Sequence, residues 1–309
     1  MGDINKIAVV YGGSSSEREI SIQSGEGVYK AIIELGFVAD LIDINDLEDL
    51  SELKVFDFIF IALHGSEGEG GKLQKDLDDL NILYSGSSSK CCKNTWNKKL
   101  TKEILEQSNI STPIWSVVNK LPSYDSPNAK LSDPFFDKFR PFEAIFLKPQ
   151  EDGSSIDIFK ITNENSNKKA IQACLNPNRA FIYEEYINGK EFTVTIIDNI
   201  CLPPIEIISN NEFYDYDAKY HSDETLLIEA KLTKKELNEI NKIAFGAFKA
   251  LECNGWARID LIQDDEGNFY VIEINTVPGM TSHSCVPKSG SFLGLSYNEV
   301  VKKIIDASF

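Results

Sequence analysis

The chain has 309 residues, 42% of them hydrophobic, and its 31 basic residues against 48 acidic ones give a formal net charge of −17. Such a length allows two or three domains with substantial cores. A chain this acidic is a poor binder of nucleic acid or of an anionic membrane, because both require basic patches that neutralise phosphate. No apolar run has the length of a membrane span, and the N-terminal stretch lacks the features of a signal peptide.

The 6 cysteines contain no CxxC pair and no zinc-binding spacing. We therefore expect reduced thiols in a cytoplasmic protein.

Residues 1–86 have the pattern of a small α/β domain. Strands are predicted at 7–11, 38–44 and 56–63, and the last is so apolar that a buried parallel sheet is expected. The loop that opens at Gly12 and the side chain of His64 both follow predicted strands. Ligands of open α/β sheets bind at the carboxyl ends of strands, so both positions are candidates for a site.

Residues 87–183 form the second predicted unit, and the predicted domain boundary falls within the serine-rich segment 85–89. A lysine-rich helix is predicted over 94–107 and a strand over 144–148. Between two strands lies QEDGSSI, residues 150–156. Its Gly-Ser-Ser tip could direct backbone N–H groups and hydroxyls at an anion, although an ordinary hairpin turn is the simpler interpretation of this stretch alone.

Residues 184–309 complete the chain and contain its most informative stretch, a predicted hairpin at 257–274. Strand side chains alternate between the two faces of a sheet. With a four-residue loop at 265–268, Ile262 lies opposite Val271, Asp260 opposite Glu273, and Arg258 opposite Asn275. The polar face then holds Arg258, Asp260, Glu273 and Asn275. The core face is predicted to hold Ile259, Leu261, Ile272 and Ile274.

The polar face of this hairpin suits a hard divalent cation. Two carboxylates directly opposite each other repel, so a folded protein compensates them. Asp260, Glu273 and Asn275 supply only oxygen ligands, which is the set that Mg²⁺ prefers. The alternative is an ordinary hairpin with a solvated polar face. A long polar loop, 276–284, follows the second strand, and sites are often built on such loops.

Two common nucleotide-binding motifs are absent from the sequence. Gly71-Lys72 is followed by leucine, so there is no Walker motif, and no GxGxxG occurs. A P-loop nucleotidase and a dinucleotide-dependent oxidoreductase are therefore disfavoured.

Seven blocks in order resemble the D-alanine–D-alanine ligases of the ATP-grasp superfamily and span nearly the whole chain: VVYGGSSSEREIS, IALHGSEGEGGKLQ, KPQEDGSSI, YEEYINGKEFTV, FYDYDAKYHSDET, GWARID and EINTVPGMTSHS. Each block is moderately specific, and the ordered set is very specific. The resemblance implies a mixed α/β fold of three domains, with a Rossmann-like parallel-sheet domain at 1–86 and two α+β domains, 87–183 and 184–309, that clasp ATP.

The resemblance also implies roles for individual residues. Those matching ATP-binding positions are Lys98, Lys148, Ser154, Ser155, Glu184, Glu191 and Lys219. Two Mg²⁺ or Mn²⁺ ions would be held by the residues matching Asp260, Glu273 and Asn275. Arg258 and the N–H of Gly279 match oxyanion donors. Glu17 and His64 match the first D-alanine site, whereas Ser284 and the Cys285 backbone match the second. Glu17, Ser154 and Tyr220 match a hydrogen-bonded trio that links the domains.

The implied activity is ATP-dependent ligation of two D-alanine molecules through an acyl phosphate, for peptidoglycan precursors, by a homodimer. Alternatives are a D-alanyl-D-lactate ligase or another carboxylate–amine ligase of the superfamily, or a catalytically silent ATP-binding protein of this fold. The Lys219-Tyr220 pair is typical of the dipeptide-forming type. Two departures from the family pattern stand out: Asp157 in place of a usual glycine, and Asn97 in place of a frequent aspartate.

Overall fold

The computed structural model describes residues 4–118, 142–153, 157–162, 179–209 and 225–309. Four of the predicted site residues lie outside this part of the chain: Ser154, Ser155, Lys219 and Tyr220. The helices are α1 (Arg18–Glu34), α2 (Ser66–Glu69), α3 (Lys72–Asp79), α4 (Ser89–Trp96), α5 (Lys98–Gln107), α6 (Lys234–Ala250), α7 (Cys285–Phe292) and α8 (Tyr297–Asp306).

The first sheet is parallel, as predicted. It contains β1 (Lys6–Tyr11), β2 (Val38–Asp43) and β3 (Phe58–Ile61) in the order β2-β1-β3. Every residue of β3 is buried. The glycine-rich segment 65–71, which follows β3, contains the short helix α2. Gly65 permits this sharp entry, because its φ of 79° is in the region that favours glycine.

The predicted lysine-rich helix is two helices, so that prediction was wrong. The break falls at Asn97, whose backbone is extended (φ −91°, ψ 104°). Its side-chain oxygen accepts a hydrogen bond from the N–H of Leu100 at 3.1 Å, which makes Asn97 the N-cap of α5. An aspartate could cap the helix in the same way, so the departure at position 97 conserves the local structure.

Two further sheets follow along the chain. The second has the order β4-β7-β5-β6, and the third β11-β10-β8-β12-β13 with β9 paired to β8. The strands are β4 (Trp115–Val117), β5 (Ala144–Pro149), β6 (Phe159–Thr162), β7 (Phe181–Glu185), β8 (Gly189–Ile197), β9 (Ile200–Cys201), β10 (Ile205–Ile208), β11 (Leu226–Glu229), β12 (Trp256–Asp264) and β13 (Phe269–Asn275).

The β12–β13 hairpin has the predicted loop and, at its far end, the predicted register. Arg258 lies opposite Asn275 and Asp260 opposite Glu273. Nearer the turn the register shifts by one residue at a β-bulge, so Ile262 faces Tyr270 instead of Val271. Bulges bend a strand and redirect side chains next to active sites.

Because of the bulge, the predicted core face of the hairpin is wrong at one residue. Ile259, Leu261 and Ile274 are buried, as expected, but Ile272 is only half-buried and lines the cleft described below. Val271 takes the core position instead. The extra residue in β13 explains the exchange, because a shift of one residue moves a side chain to the opposite face.

The two ends of the chain share a hydrophobic core. Val28 of α1 and Phe60 of β3 belong to the same buried cluster as Trp256, Val300 and Ile304. The last helix, α8, therefore packs on the first sheet and brings the third sheet close to it. No helix in the described part of the chain is long and apolar enough to cross a membrane.

Candidate active site

Three parts of the chain converge on one cleft. The first contributes Glu17, His64 and Glu69. The second contributes Trp96, Lys98, Asp152 and Gly153. The third contributes Arg258, Glu273, Asn275 and Gly279. Six predicted site residues of the described chain do not line this cleft: Lys148, Glu184, Glu191, Asp260, Ser284 and Cys285. The cleft thus brings the loop after Gly12 and the region of His64 next to the polar face of the hairpin.

Arg258 and Asp260 form the centre of the hairpin face. They are two residues apart on β12, so their side chains share a face. Arg258 donates two hydrogen bonds to the Asp260 carboxylate, from Nε at 2.9 Å and from Nη2 at 2.7 Å. The hydroxyl of Thr193 donates to the same carboxylate at 2.7 Å, and Asn275 Nδ2 at 3.1 Å. Four donors therefore compensate the charge of Asp260, which is only 5% exposed.

The donor set of this face fits a hard cation. Asp260 and Glu273 face each other across the strands, Asn275 lies next to them, and each offers oxygen. Within the described residues no group of three or more His, Cys, Asp or Glu side chains could hold a metal ion. A cation here therefore needs the amide of Asn275, and ligands from phosphate or water, to complete its shell.

Three buried charged side chains, on β5, β7 and α5, form an ion triad. Glu184 on β7 contacts Lys148 on β5 and lies 2.5 Å from Nζ of Lys102 on α5. All three side chains are buried. Burial raises the pKa of Glu184, but the two lysines together lower it by more. The pKa of Glu184 is therefore below its usual value. The pKa of Lys102 is below its usual value, chiefly because of burial, although Glu184 acts to raise it.

Lys102 was missed by the sequence analysis, although a signal for it existed. It lies four residues after Lys98 on α5, and residues four apart share one face of a helix. Lys102 Nζ also donates to the hydroxyl of Thr112 at 2.8 Å, and that hydroxyl donates to the carbonyl of Val271 at 2.8 Å. The triad therefore connects the second sheet to the bulged strand of the hairpin.

Lys98 lies at one end of the Gly-Ser-Ser stretch. Its Nζ donates to the carbonyl of Asp152 at 2.6 Å, and its N–H donates to the carbonyl of Gln150 at 2.8 Å. Both ends of the stretch are also joined through Arg179, which pairs with Asp152 at 2.7 Å and with Asp157. We call these three residues, Asp152, Asp157 and Arg179, the loop neck.

Glu17 is placed at the cleft by the glycine loop. Its N–H donates to the hydroxyl of Ser15 at 3.2 Å, and that hydroxyl donates to the carbonyl of His64 at 3.1 Å. Glu17 precedes α1, and its carbonyl accepts a hydrogen bond from the N–H of Ser21 at 2.9 Å. A Cβ at Gly153 would lie 3.0 Å from Glu17 Oε2, so the glutamate carboxylate and the start of the Gly-Ser-Ser stretch are in close approach.

His64 joins the first sheet to the polar loop after β13. Its Nδ1 lies 2.9 Å from the carbonyl of Val277 and its Nε2 lies 3.1 Å from the hydroxyl of Ser24. The same hydroxyl accepts a hydrogen bond from the N–H of Met280 at 3.0 Å. Burial lowers the pKa of His64, so the ring is neutral near neutral pH. This geometry supports a role in positioning Gly279, and contact with a substrate stays a prediction.

The end of the polar loop forms a helix N-terminus. Ser284 precedes α7, whose first residue is Cys285. The Ser284 hydroxyl accepts a hydrogen bond from the N–H of Thr281 at 3.0 Å, and a Cβ at Gly279 would lie 2.9 Å from it. The first N–H groups of a helix have no partner within the helix and bind anions well. A carboxylate is therefore a suitable ligand beside Ser284 and the Cys285 backbone.

Glu191 lies on β8, half-buried, opposite Ile262 of β12. It is on the same sheet as the hairpin but does not line the cleft beside Glu17.

Comparison with known proteins identifies the family. The family model described as "D-ala D-ala ligase C-terminus" matches residues 136–306. The D-alanine–D-alanine ligase of Haemophilus ducreyi is 38% identical over 307 residues, with 98% of each chain covered. The chain belongs to the D-alanine–D-alanine ligase family.

Solved structures of similar ligases agree with the fold described above. The crystal structure of the D-alanine–D-alanine ligase of Bacillus anthracis complexed with ATP has a TM-score of 0.82 and 30% identity, covering 98% of this chain and 97% of that one. The VanG D-Ala:D-Ser ligase of Enterococcus faecalis is similar in fold only, with a TM-score of 0.81 at 24% identity over 99% of this chain and 100% of that one. The predicted mixed α/β ATP-grasp fold is thereby confirmed.

The family's usual glycine at position 157 has a physical explanation in this ligase. The backbone of Asp157 has a φ of 53°, in the left-handed region that glycine adopts without strain. Arg179 compensates the aspartate, and its hydrogen bond with Asp157 raises the pKa of the guanidinium. Aspartate tolerates this region better than most residues. The substitution therefore adds an ion pair at the loop neck.

Replacing Asp157 is expected to separate backbone strain from the ion pair. Asp157→Gly loses a partly buried pair but relaxes the backbone, so its free energy of unfolding should change by less than about 1 kcal/mol. Asp157→Ala loses the pair and retains the strain, and should cost about 1–2 kcal/mol more. Urea unfolding of both variants measures the difference, and equal stabilities would contradict the assigned strain.

Glu69 of α2 is a cleft residue that the sequence analysis missed within the glycine-rich segment. Its Oε1 accepts a hydrogen bond from the N–H of Gly65 at 3.1 Å. Burial in the cleft wall, with Glu17 nearby, raises the pKa of Glu69 to about 8. The side chain is therefore mostly protonated at neutral pH in the protein without ligand and can donate a hydrogen bond.

The raised pKa of Glu69 predicts a pH-dependent stability. Because the folded protein holds this proton more tightly than the unfolded chain, stability is lost as pH rises between the unfolded pKa and about 8. A Glu69→Gln variant should match the parent in melting temperature at pH 4 and exceed it increasingly up to pH 8. Thermal melts without metal or nucleotide measure the difference, and a difference independent of pH would show that Glu69 is ionised.

Proposed function

We propose that this chain joins two molecules of D-alanine into D-alanyl-D-alanine at the expense of ATP, for peptidoglycan precursor synthesis. The observation that carries the proposal is the match over 98% of the chain to a D-alanine–D-alanine ligase, with seven of the predicted site residues lining one cleft. The formal net charge of −17 is consistent with an enzyme that acts on small molecules.

The reaction has two steps. An oxygen of the first D-alanine carboxylate attacks the γ-phosphorus of ATP, the bond to ADP breaks, and an acyl phosphate forms. The amine of the second D-alanine then attacks the acyl carbon, a C–N bond forms, and phosphate leaves with the original carboxylate oxygen. The amine must lose its protons during this second step.

ATP is assigned to the space between the second and third sheets. Lys98 beside the loop neck, with Ser154, Ser155 and Lys219, would contact the phosphates, and Lys148 would do so from β5. Glu184 and Glu191 would contact the adenosine portion. Buried Lys148 already touches Glu184. Nucleotide binding at Lys148 would therefore act directly on the ion triad.

Mg²⁺ or Mn²⁺ is proposed on Asp260, Glu273 and Asn275. When bound, such a cation would neutralise phosphate charge during phosphoryl transfer. The protein itself prepares the position by holding two carboxylates face to face and by compensating Asp260 with four donors.

The amino-acid sites are assigned to the remaining cleft residues. Glu17 would pair with the ammonium of the first D-alanine, His64 would lie near its carboxyl group, and Tyr220 would complete the trio with Ser154. Arg258 and the N–H of Gly279 would donate to the oxyanion of the tetrahedral intermediate. Ser284 and the N–H of Cys285 would hold the carboxylate of the second D-alanine.

A phosphate-release assay tests the proposal. The purified chain is given ATP and Mg²⁺ with D-alanine, with L-alanine, or with D-alanine plus D-lactate or D-serine, and products are identified by mass spectrometry. Release with D-alanine alone, accompanied by the dipeptide, is expected. Turnover only when another acceptor is added would reassign the second site, and no turnover despite ATP binding would favour a silent ATP-binding protein.

A further inference from the structure

Two buried thiols that have no place in the proposed reaction lie next to each other. The Sγ atoms of Cys91 on α4 and Cys253, in the turn after α6, are 3.5 Å apart. Cys91 is 0% exposed and Cys253 7%. They are 162 residues apart in sequence, so only the tertiary fold brings them together.

The backbones on both sides of this thiol pair are firmly held. Ser87 and Asn254 exchange two hydrogen bonds, from Asn254 N–H to the Ser87 hydroxyl at 3.0 Å and from that hydroxyl to the Asn254 carbonyl at 3.3 Å. Lys90 pairs with Glu252 at 2.8 Å. These contacts flank both cysteines and fix their separation. A disulfide requires the sulfur atoms to approach to about 2.05 Å, which is a small movement from this starting point.

The thiols of Cys92 and Cys201 are hydrogen-bonded to backbone carbonyls. Cys92 donates to the carbonyl of Ser87 at 3.5 Å, and Cys201 to the carbonyl of Asn241 at 3.8 Å. Burial raises the pKa of Cys92 to about 12 and that of Cys201 to about 11. The hydrogen bond between Cys91 and Cys253 lowers the pKa of Cys91. Cys91 is therefore the better nucleophile among these thiols.

We propose that Cys91 and Cys253 form a redox modification site that closes to an intramolecular disulfide when the protein meets a peroxide. The Cys91 thiolate attacks one peroxide oxygen, the O–O bond breaks, and Cys91 becomes a sulfenic acid while water is released. The Cys253 sulfur then attacks the Cys91 sulfur, the S–O bond breaks, and a second water leaves. Two thiols lose two electrons and two protons, and the peroxide is reduced.

The bond would tie two walls of the cleft together. Helix α4 also carries Thr95 and Trp96, which line the cleft, and Cys253 is five residues before Arg258. A cross-link over a long loop restricts the unfolded chain, so the oxidised protein should melt at a higher temperature than the reduced one.

Peptide mapping tests the site. The full chain is treated with hydrogen peroxide, remaining thiols are alkylated under denaturing conditions, and a tryptic digest is analysed without reduction. Trypsin releases CCK, residues 91–93, and ALECNGWAR, residues 250–258. The expected result is a cross-linked pair of these peptides, lighter by two hydrogen atoms than their sum and separated by dithiothreitol.

Variants decide which sulfur takes part. Cys92→Ser should retain the cross-link, as should Cys201→Ser, the matched control with a thiol elsewhere. Cys91→Ser and Cys253→Ser should each abolish both the cross-link and the rise in melting temperature. Full alkylation of Cys91 and Cys253 after peroxide treatment of the parent protein, or a cross-link that survives in Cys91→Ser, would overturn the proposal. The test on the parent protein needs no variant to fold.

Discussion

Replacing Arg258 with methionine should lower kcat for dipeptide formation about 100- to 1000-fold. Loss of one oxyanion donor typically has an effect of this size. Methionine also leaves the carboxylate of Asp260 without its two hydrogen bonds from Arg258, at a position that is 5% exposed. Because the lost interaction is strongest in the transition state, kcat should fall more than the KM for either substrate rises.

The control for Arg258→Met is Lys190→Met on the neighbouring strand. Lys190 pairs with Glu206 at 3.2 Å, and its side chain is 65% exposed. Because the lysine end of this pair extends into solvent, removing it should leave both kcat and the melting temperature nearly unchanged. A kcat for Arg258→Met within threefold of the parent, in a protein that melts normally, would remove Arg258 from the reaction.

Replacing Glu184 with glutamine should destabilise the protein by about 3–5 kcal/mol, because Lys102 and Lys148 would keep buried charges without a counter-charge. Denaturant unfolding without nucleotide measures the loss. Adding Lys102→Met to the Glu184→Gln variant should recover part of it, since one buried charge is removed. Glu252→Gln, which breaks the exposed pair with Lys90, is the matched control and should cost at most about 1 kcal/mol.

The triad also predicts how acid affects the protein. The pKa of Glu184 is lower in the folded protein than in the unfolded chain, so its contribution is complete above the unfolded pKa of about 4.3. It is lost as pH falls through the folded pKa. The difference in stability between the parent and Glu184→Gln should therefore narrow in acid. A difference that stays constant from pH 7 to pH 3 would contradict the triad.

The sequence was sufficient to predict the face of the hairpin that carries the site. The two strands are short, their turn is marked by Asp264 and Gly267, and alternation places Arg258 and Asp260 on one face. The bulge could not be predicted, because the apolar residues of β13 are compatible with strand pairing both with and without one extra residue. Ile272 was therefore assigned to the wrong face.

Features that depend on tertiary contacts were less accessible to sequence analysis. Lys102 has the appearance of a solvated helix lysine until β7 places Glu184 beside it. The raised pKa of Glu69 depends on burial and on Glu17, which precedes it by 52 positions and is brought near by the glycine loop. The break at Asn97 did have a local signal, since asparagine is a strong N-cap, but the surrounding lysines resembled one continuous helix.

Isotope transfer tests the central claim most directly. The purified chain is incubated with ATP, Mg²⁺ and D-alanine that carries ¹⁸O in both carboxylate oxygens. An acyl-phosphate ligase transfers one of these oxygens to inorganic phosphate for each D-alanyl-D-alanine formed, and mass spectrometry of both products should show this ratio. Dipeptide without labelled phosphate would contradict the acyl phosphate, and unlabelled phosphate with no dipeptide would contradict the ligase assignment itself.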